Sequence, residues 1–320
     1  MHSHRFAGAL LIVAWSTSGA VAGSELLLGS LNNSEVFRYD LTTCNVIATH
    51  NVAVPTGMVL QGDYAYVNNL YGSSPVVRYS LASGQWTSFT NGLLPGGNSL
   101  GLGFGPDGDL YRVHTQAAQS GVYRYDGQTG LVIGRFTVAS WDDALFDLAF
   151  GPDGCLYLTT NDHDGLTHGQ VERYDGNTGA YLGVFAALDE NTEMRALVFG
   201  PDGDLYVTEG HSSDILRFNG QTGQFEGVFA HGAGHLTLAD GLGFGPDGYL
   251  YVSGFGSNNV VRFDGTTGAF VDVFTAGGAL DGPTHFVFVP EPDAAVLLLG
   301  PVVLIGGLLR RRWVVSGYHA

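Results

Sequence analysis

"ALVFGPDGDLYVTEGHSSDILRFNGQTGQFEGVF", residues 196–229, reads as four short strands and the connections between them. ALVF is an apolar strand. GPDG is a hairpin turn, its proline presetting φ and its glycine accepting a positive φ. DLYVT returns as a second strand of aromatic and β-branched residues. EGHSSD is a polar loop, ILRF a third strand, NGQTG another turn and QFEGVF a fourth strand. Apolar residues crowd both faces of these strands, so the unit needs neighbours on both sides.

Near-copies supply them. GLGFGPDGDLYRV starts at Gly101, DLAFGPDGCLYLT at Asp147 and GLGFGPDGYLYVS at Gly241. The phenylalanines Phe104, Phe150, Phe199 and Phe244 are spaced by 46, 49 and 45 residues. The third strand and its turn recur six times, at Phe37, Val77, Tyr123, Glu172, Leu216 and Val261. A period of about 40–50 residues with several strands in each is the mark of a β-propeller. The segment before Asn51 supplies strands two to four of a blade but no first strand, whereas PTHFVFVP from Pro283 is that strand alone. The expected fold is therefore all-β: a six-bladed propeller of four-stranded blades, its last strand joining the N-terminal blade and removing both exposed edges. Blade two is irregular, since TGMVLQGDYAYV lacks the phenylalanine and one turn residue.

These units resemble the repeat of NHL-type six-bladed propellers, in which an apolar strand is followed by D-G-x-L-Y-V, a polar loop and an apolar-basic-aromatic strand. The resemblance spans roughly Gly23 to Val289. It implies a fold and leaves function open, because such propellers include lyases, lactonases and binding scaffolds.

The flanks speak about location. Residues 1–22 run from Arg5 through an apolar stretch to the small residues Ala20 and Ala22, the order of a secretory signal peptide cleaved before Gly23. After the propeller (23–289) come Pro290, Glu291 and Pro292, an apolar stretch over 294–309, and Arg310, Arg311 and Arg312. That stretch is a short membrane helix with its arginines snorkelling to the cytoplasmic interface. The segment 290–312 resembles the PEP-CTERM sorting signal of Gram-negative bacteria. The resemblance implies an exosortase-type processing enzyme as partner, transient inner-membrane insertion, and release to the cell envelope or exopolysaccharide matrix. A stable C-terminal anchor is the alternative, and the extra tail 313–320 departs from the usual pattern.

Net charge is −17, and all 13 basic residues are arginine. So acidic a body repels phosphate backbones, which argues against a nucleic-acid partner. The aspartates Asp107, Asp153, Asp202 and Asp247 recur at one turn position and answer to hairpin geometry. Arg38, Arg78, Arg124, Arg173, Arg217 and Arg262 share one slot and are read as structural, pairing between blades.

Propeller topology puts the regular turns on one face and the irregular loops on the other. On the irregular face, at the channel mouth, the repeat places Thr56, Asn98 or Ser99, Asp147, Arg195, Asp240 and His285 just before the inner strands. Second loops add His114, His163, Glu209 and His211. Histidines and carboxylates converging there suit a ligand, a divalent cation or general acid–base chemistry. The bland alternative is a polar, water-filled channel mouth. No cofactor is evident, and a divalent cation is the one candidate. The expected function is an exported binding or scaffold protein for a polysaccharide or envelope protein. The alternative is a metal-dependent lyase or lactonase. A gluconolactonase-like site needs a glutamate at the channel end of an early inner strand, where this chain has Thr56 and Thr284–His285.

The repeat map puts Cys44 in blade one and Cys155 in blade four, opposite each other and far beyond the ~7 Å Cα limit for a bridge. Non-reducing peptide mapping should recover both as free thiols. A Cys44–Cys155 peptide would break the six-blade register.

Overall fold

The structure is a computed structural model, described over residues 25–70, 75–90, 100–115, 119–137, 143–162, 168–188, 192–276 and 279–290. The chain divides into one unit ending at Pro290 and a second, Glu291–Ala320. The expected signal peptide, the membrane helix and the sorting signal beyond Pro290 lie outside the described residues. Among the described residues no helix is long and apolar enough to cross a membrane.

The first unit is a six-bladed propeller. Blade 1 contains β1 (Glu25–Ser30), β2 (Glu35–Asp40) and β3 (Val46–Asn51), and blade 2 contains β4 (Pro55–Gln61), β5 (Tyr64–Asn69), β6 (Val76–Ser80) and β7 (Trp86–Ser88). Blade 3 is β8 (Leu102–Phe104), β9 (Leu110–His114), β10 (Gly121–Tyr125) and β11 (Val132–Arg135). Blade 4 is β12 (Asp143–Phe150), β13 (Leu156–Asp162), β14 (Gln170–Tyr174) and β15 (Tyr181–Ala187). Blade 5 is β16 (Met194–Phe199), β17 (Leu205–Glu209), β18 (Ile215–Phe218) and β19 (Phe225–Ala230). Blade 6 is β20 (Ala239–Phe244), β21 (Tyr249–Gly254), β22 (Asn259–Asp264) and β23 (Phe270–Ala276). The last strand, β24 (Pro283–Val289), pairs antiparallel with β1 and completes blade 1. The innermost strands touch in the order β24, β4, β8, β12, β16, β20 and back to β24, closing the ring.

One tyrosine per blade joins it to the next. Tyr206, fully buried on β17, meets Phe229 of its own outer strand and Phe244 of blade 6 edge-on, with centroids 4.9 and 5.0 Å apart. Tyr66, Tyr111, Tyr157 and Tyr251 repeat this contact with Phe104, Phe150, Phe199 and Phe288. Edge-to-face pairs add about 0.5–1.5 kcal/mol each beyond the area they bury. Blade 1 breaks the rule, with Leu27 in the tyrosine slot and Leu60 of blade 2 in the phenylalanine slot, both in one apolar cluster. Blade 2 lost its phenylalanine where its partner tyrosine was also lost.

The turn aspartates behave as expected. Asp202 accepts the Asp204 N–H and the Tyr206 hydroxyl, the latter at 2.8 Å. The recurrent arginines correct the expectation: they pair mainly within a blade. Arg217 binds Asp204 at 2.5 Å, Asp202 and Glu226, and lies over the Tyr206 ring. Arg124, Arg173 and Arg262 repeat the turn-aspartate pair in blades 3, 4 and 6. Arg78 donates to Thr87 and sits over the Tyr64 and Phe89 rings. Arg38, paired to Glu25, also reaches across, donating to Tyr79 of blade 2. The arginine slot is thus a turn-bracing position, and the blade-to-blade work falls to the tyrosines. Cys44 and Cys155 are both free, and burial pushes both thiols up.

In blades 3 to 6 the glycine closing the third turn has a second duty. At Gly223 φ is +72°, and a Cβ there would come within 1.8 Å of the Phe185 carbonyl oxygen in blade 4. Gly130, Gly179 and Gly268 abut the preceding blade in the same way. Gly62 has φ of +55° but nothing within 4 Å. Gly62→Ala should therefore cost about 1 kcal/mol, the left-handed penalty alone. Gly223→Ala should cost clearly more by thermal or denaturant unfolding, and equal losses would show that the blades do not meet at this turn.

Candidate functional site

The inner strands carry a repeated irregularity at their channel-mouth ends. In β4, β12, β16, β20 and β24 the register shifts so that two residues oppose one on the next strand. The extra pairs are Thr56–Gly57, Phe146–Asp147, Arg195–Ala196, Asp240–Gly241 and Thr284–His285. Bulges of this kind bend the strand and re-aim side chains, and here they present the predicted mouth residues together.

A belt of hydroxyls holds the bulges. Thr208 accepts the Ala196 N–H at 3.0 Å and donates to the Asp240 carbonyl of the next blade at 2.9 Å. Thr159 does the same for Asp147 and Arg195, and Ser253 for Gly241 and Thr284. In blade 1 the slot is Gly29, and Thr284 itself donates to the Pro55 carbonyl. In blade 2 Asn68 takes the slot, donating to Thr56 and accepting from the buried Arg112 of blade 3. Among the described residues these bonds join five of the six blade seams directly beneath the mouth.

Four of the predicted residues meet there. His285 Nε2 of blade 1 stands 3.1 Å from Asp147 Oδ2 of blade 4, an ion-pair distance with off-line hydrogen-bond geometry. These two blades are opposite each other in the ring, so the pair crosses the channel axis. Asp147 is further held by the Leu148 and Leu197 N–H groups. Arg195 of blade 5 reaches Asp240 of blade 6 at 3.5 Å and Glu193 at 2.9 Å, and lies over the Phe146 ring. Glu193 and Phe146 were missed from sequence. Glu193 stands two residues before Arg195, so proximity was the available signal, but no other blade repeats it.

The remaining candidates fare differently. Glu209 lies at the end of β17 and accepts the Glu193 and Ser212 N–H groups, with His211 Nδ1 at 3.4 Å. Burial works against its charge, yet these N–H donors and that of His211 hold it below the usual carboxylate range. It is a loop anchor, and His211, half exposed, rims the site. His114 is buried at the end of β9, edge-on to Tyr123 at 5.4 Å, and stands in its blade instead of in the charged cluster. His163, Asn98 and Ser99 lie outside the described residues.

The donor set does not fit a divalent cation. Among the described residues no group of three or more His, Cys, Asp or Glu side chains could hold one. Asp147 already has His285 as its counter-ion, and Asp240 has Arg195.

No protein-family model matches the chain, and no curated protein matches it. Solved structures do. A chain of a nidogen/laminin complex superposes with a TM-score of 0.63 at 16% identity, covering 83% of this chain and 98% of that one. The periplasmic gluconolactonase of Pseudomonas aeruginosa gives 0.60 at 16%, over 84% and 99%. A catalytically inactive virginiamycin B lyase from Staphylococcus aureus gives 0.55 at 15%, over 83% and 82%. The likeness is one of fold. It joins a binding complex, a lactonase and a lyase, and the site has to choose among them.

The protonation of His285 helps to choose. Burial works against a charged ring, but the Asp147 carboxylate, the Asp240 carboxylate and the Thr56 backbone carbonyl outweigh it and carry the ring up to about 9. Burial pushes Asp240 up, against the pull of His285 and Arg195. A folded-state value above the ordinary ~6.5 means that the folded protein holds the proton more tightly than the unfolded chain. This stabilisation is complete below about pH 6.5 and is lost as pH rises through about 9. An NMR titration of His285 should show a midpoint near 9 that falls by more than one unit in Asp147→Asn. A midpoint near 6.5 in the unaltered protein would mean that the cross-axis pair does not form.

Proposed function

We propose that this is an exported binding protein of a Gram-negative cell envelope, sorted by an exosortase-type system. Its irregular face takes a polysaccharide or an envelope protein. The observation that carries the reading is the engagement of His285. Its ring faces the Asp147 carboxylate and the Thr56 carbonyl, acceptors on two sides. An imidazole between two acceptors is a doubly protonated donor. A general base must be free to take a proton near the working pH, and this ring already holds it. His285 acts as a tie between opposite blades.

The same ion pairs close the mouth from within. A partner therefore meets a preorganised rim of paired charges, bordered by exposed loop residues such as His211. That suits recognition, where fixed partners keep the cost of binding low. The sorting-signal resemblance and the signal-peptide pattern support delivery outside the cell, where a matrix polymer or an envelope protein is the available partner. The lyase or lactonase reading draws support from the two enzymes of similar fold, and would use His285 as an acid.

The two readings part in one experiment. The full chain should bind at least one preparation in a panel of matrix polysaccharides and envelope proteins, with affinity reduced about tenfold or more by His211→Glu on the rim. It should turn over neither lactones nor lyase substrates, with or without added divalent metal ions. Turnover abolished by His285→Gln would overturn the binding reading.

A further inference from the structure

Blade 2 has the shortest outer strand among the described ones. β7 spans 3 residues, whereas β15 and β23 span 7 and β19 spans 6. It also pairs without the register shift found in β3, β11, β15, β19 and β23. The shortfall leaves a notch of about 250 Å³ between blades 1 and 2, lined by Asn51, Asn69, Val77, Trp86, Thr87 and Ser88 among others. Trp86 is half-buried there, braced by the Tyr79 and His50 rings at 5.0 and 5.7 Å.

We propose that this notch binds one ring of an uncharged saccharide. The Trp86 indole is its platform, and Asn51 and Ser88 pair with its hydroxyls. A sugar ring has an apolar C–H face and a hydroxyl edge. A fixed aromatic ring matches the first. Amide and hydroxyl side chains, which both donate and accept, match the second. The volume of about 250 Å³ lies just under the roughly 300–1,000 Å³ of sites for drug-sized ligands. That suits a single ring.

Charge narrows the class. The chain carries 30 acidic and 13 basic residues, yet no charged side chain lines this notch. A uronate would find no counter-charge here and would be repelled by the acidic body.

This inference rests on the binding-protein reading for the class of partner but uses a site away from the channel mouth. The full chain is titrated with neutral hexasaccharides (gluco- and manno-configured, β1,3- and β1,4-linked) and with a hexuronate, read by calorimetry and tryptophan emission. At least one neutral sugar should bind and shift the emission, and the hexuronate should not. Trp86→Ala should weaken binding at least tenfold. Because that change also unpacks Tyr79, Asn51→Ala and Ser88→Ala, at exposed positions, should each weaken it severalfold with Tm unchanged. Absence of any neutral-sugar binding, or equal binding by Trp86→Ala and Asn51→Ala, would overturn the subsite. Polysaccharide binding that survives these variants but fails in His211→Glu would leave the binding-protein reading standing without it.

Discussion

The buried tyrosine of each second strand is the contact on which the ring depends. Tyr206 touches its own outer strand, the next blade and its own hairpin turn at once, through Phe229, Phe244 and Asp202. A phenol buried without a partner for its hydroxyl is costly. The turn aspartate supplies that partner, and the carboxylate in turn draws Arg217 onto the ring. Four sequence features that look separate in the repeat (phenylalanine, aspartate, tyrosine and arginine) are one packed unit. The loss of the tyrosine at Leu27 together with its phenylalanine at Leu60 is what such coupling requires, because either alone would leave a void or an overpacked seam.

That unit fixes blade spacing, and blade spacing decides the mouth. Bulges in five inner strands aim side chains toward the axis, and the hydroxyls of Thr159, Thr208 and Ser253 lock the bulges of β12, β16 and β20 to the next blade. His285 and Asp147 then meet across the axis, while Arg195 bridges blades 5 and 6. The polar mouth is a network in which His285 pairs with Asp147 and Arg195 is shared between Asp240 and Glu193. Proteins with this fold include a lactonase and a lyase, and the scaffold is neutral between those roles and binding.

By itself the sequence determined the blade, the number of blades and the closure, because each rests on local chemistry repeated at a fixed period. Turn residues declare the hairpins, β-branched and aromatic runs declare the strands, and the missing first strand at one end matches the lone strand at the other. The sequence also assigned Asp147, Arg195, Asp240 and His285 to one place, because the repeat gives each a register position. Only the tertiary structure decided which of them touch. His285 and Asp147 sit in opposite blades, and whether they meet depends on the channel radius and on bulges that no single repeat reveals. The arginine slot was misjudged for the same reason. In blades 3 to 6 its partners are the aspartates of its own turns, and a linear pattern cannot show whether a side chain folds back onto its blade or reaches across. The notch at Trp86 arises from a strand that stops early, and the space it leaves exists only once its neighbours are packed around it.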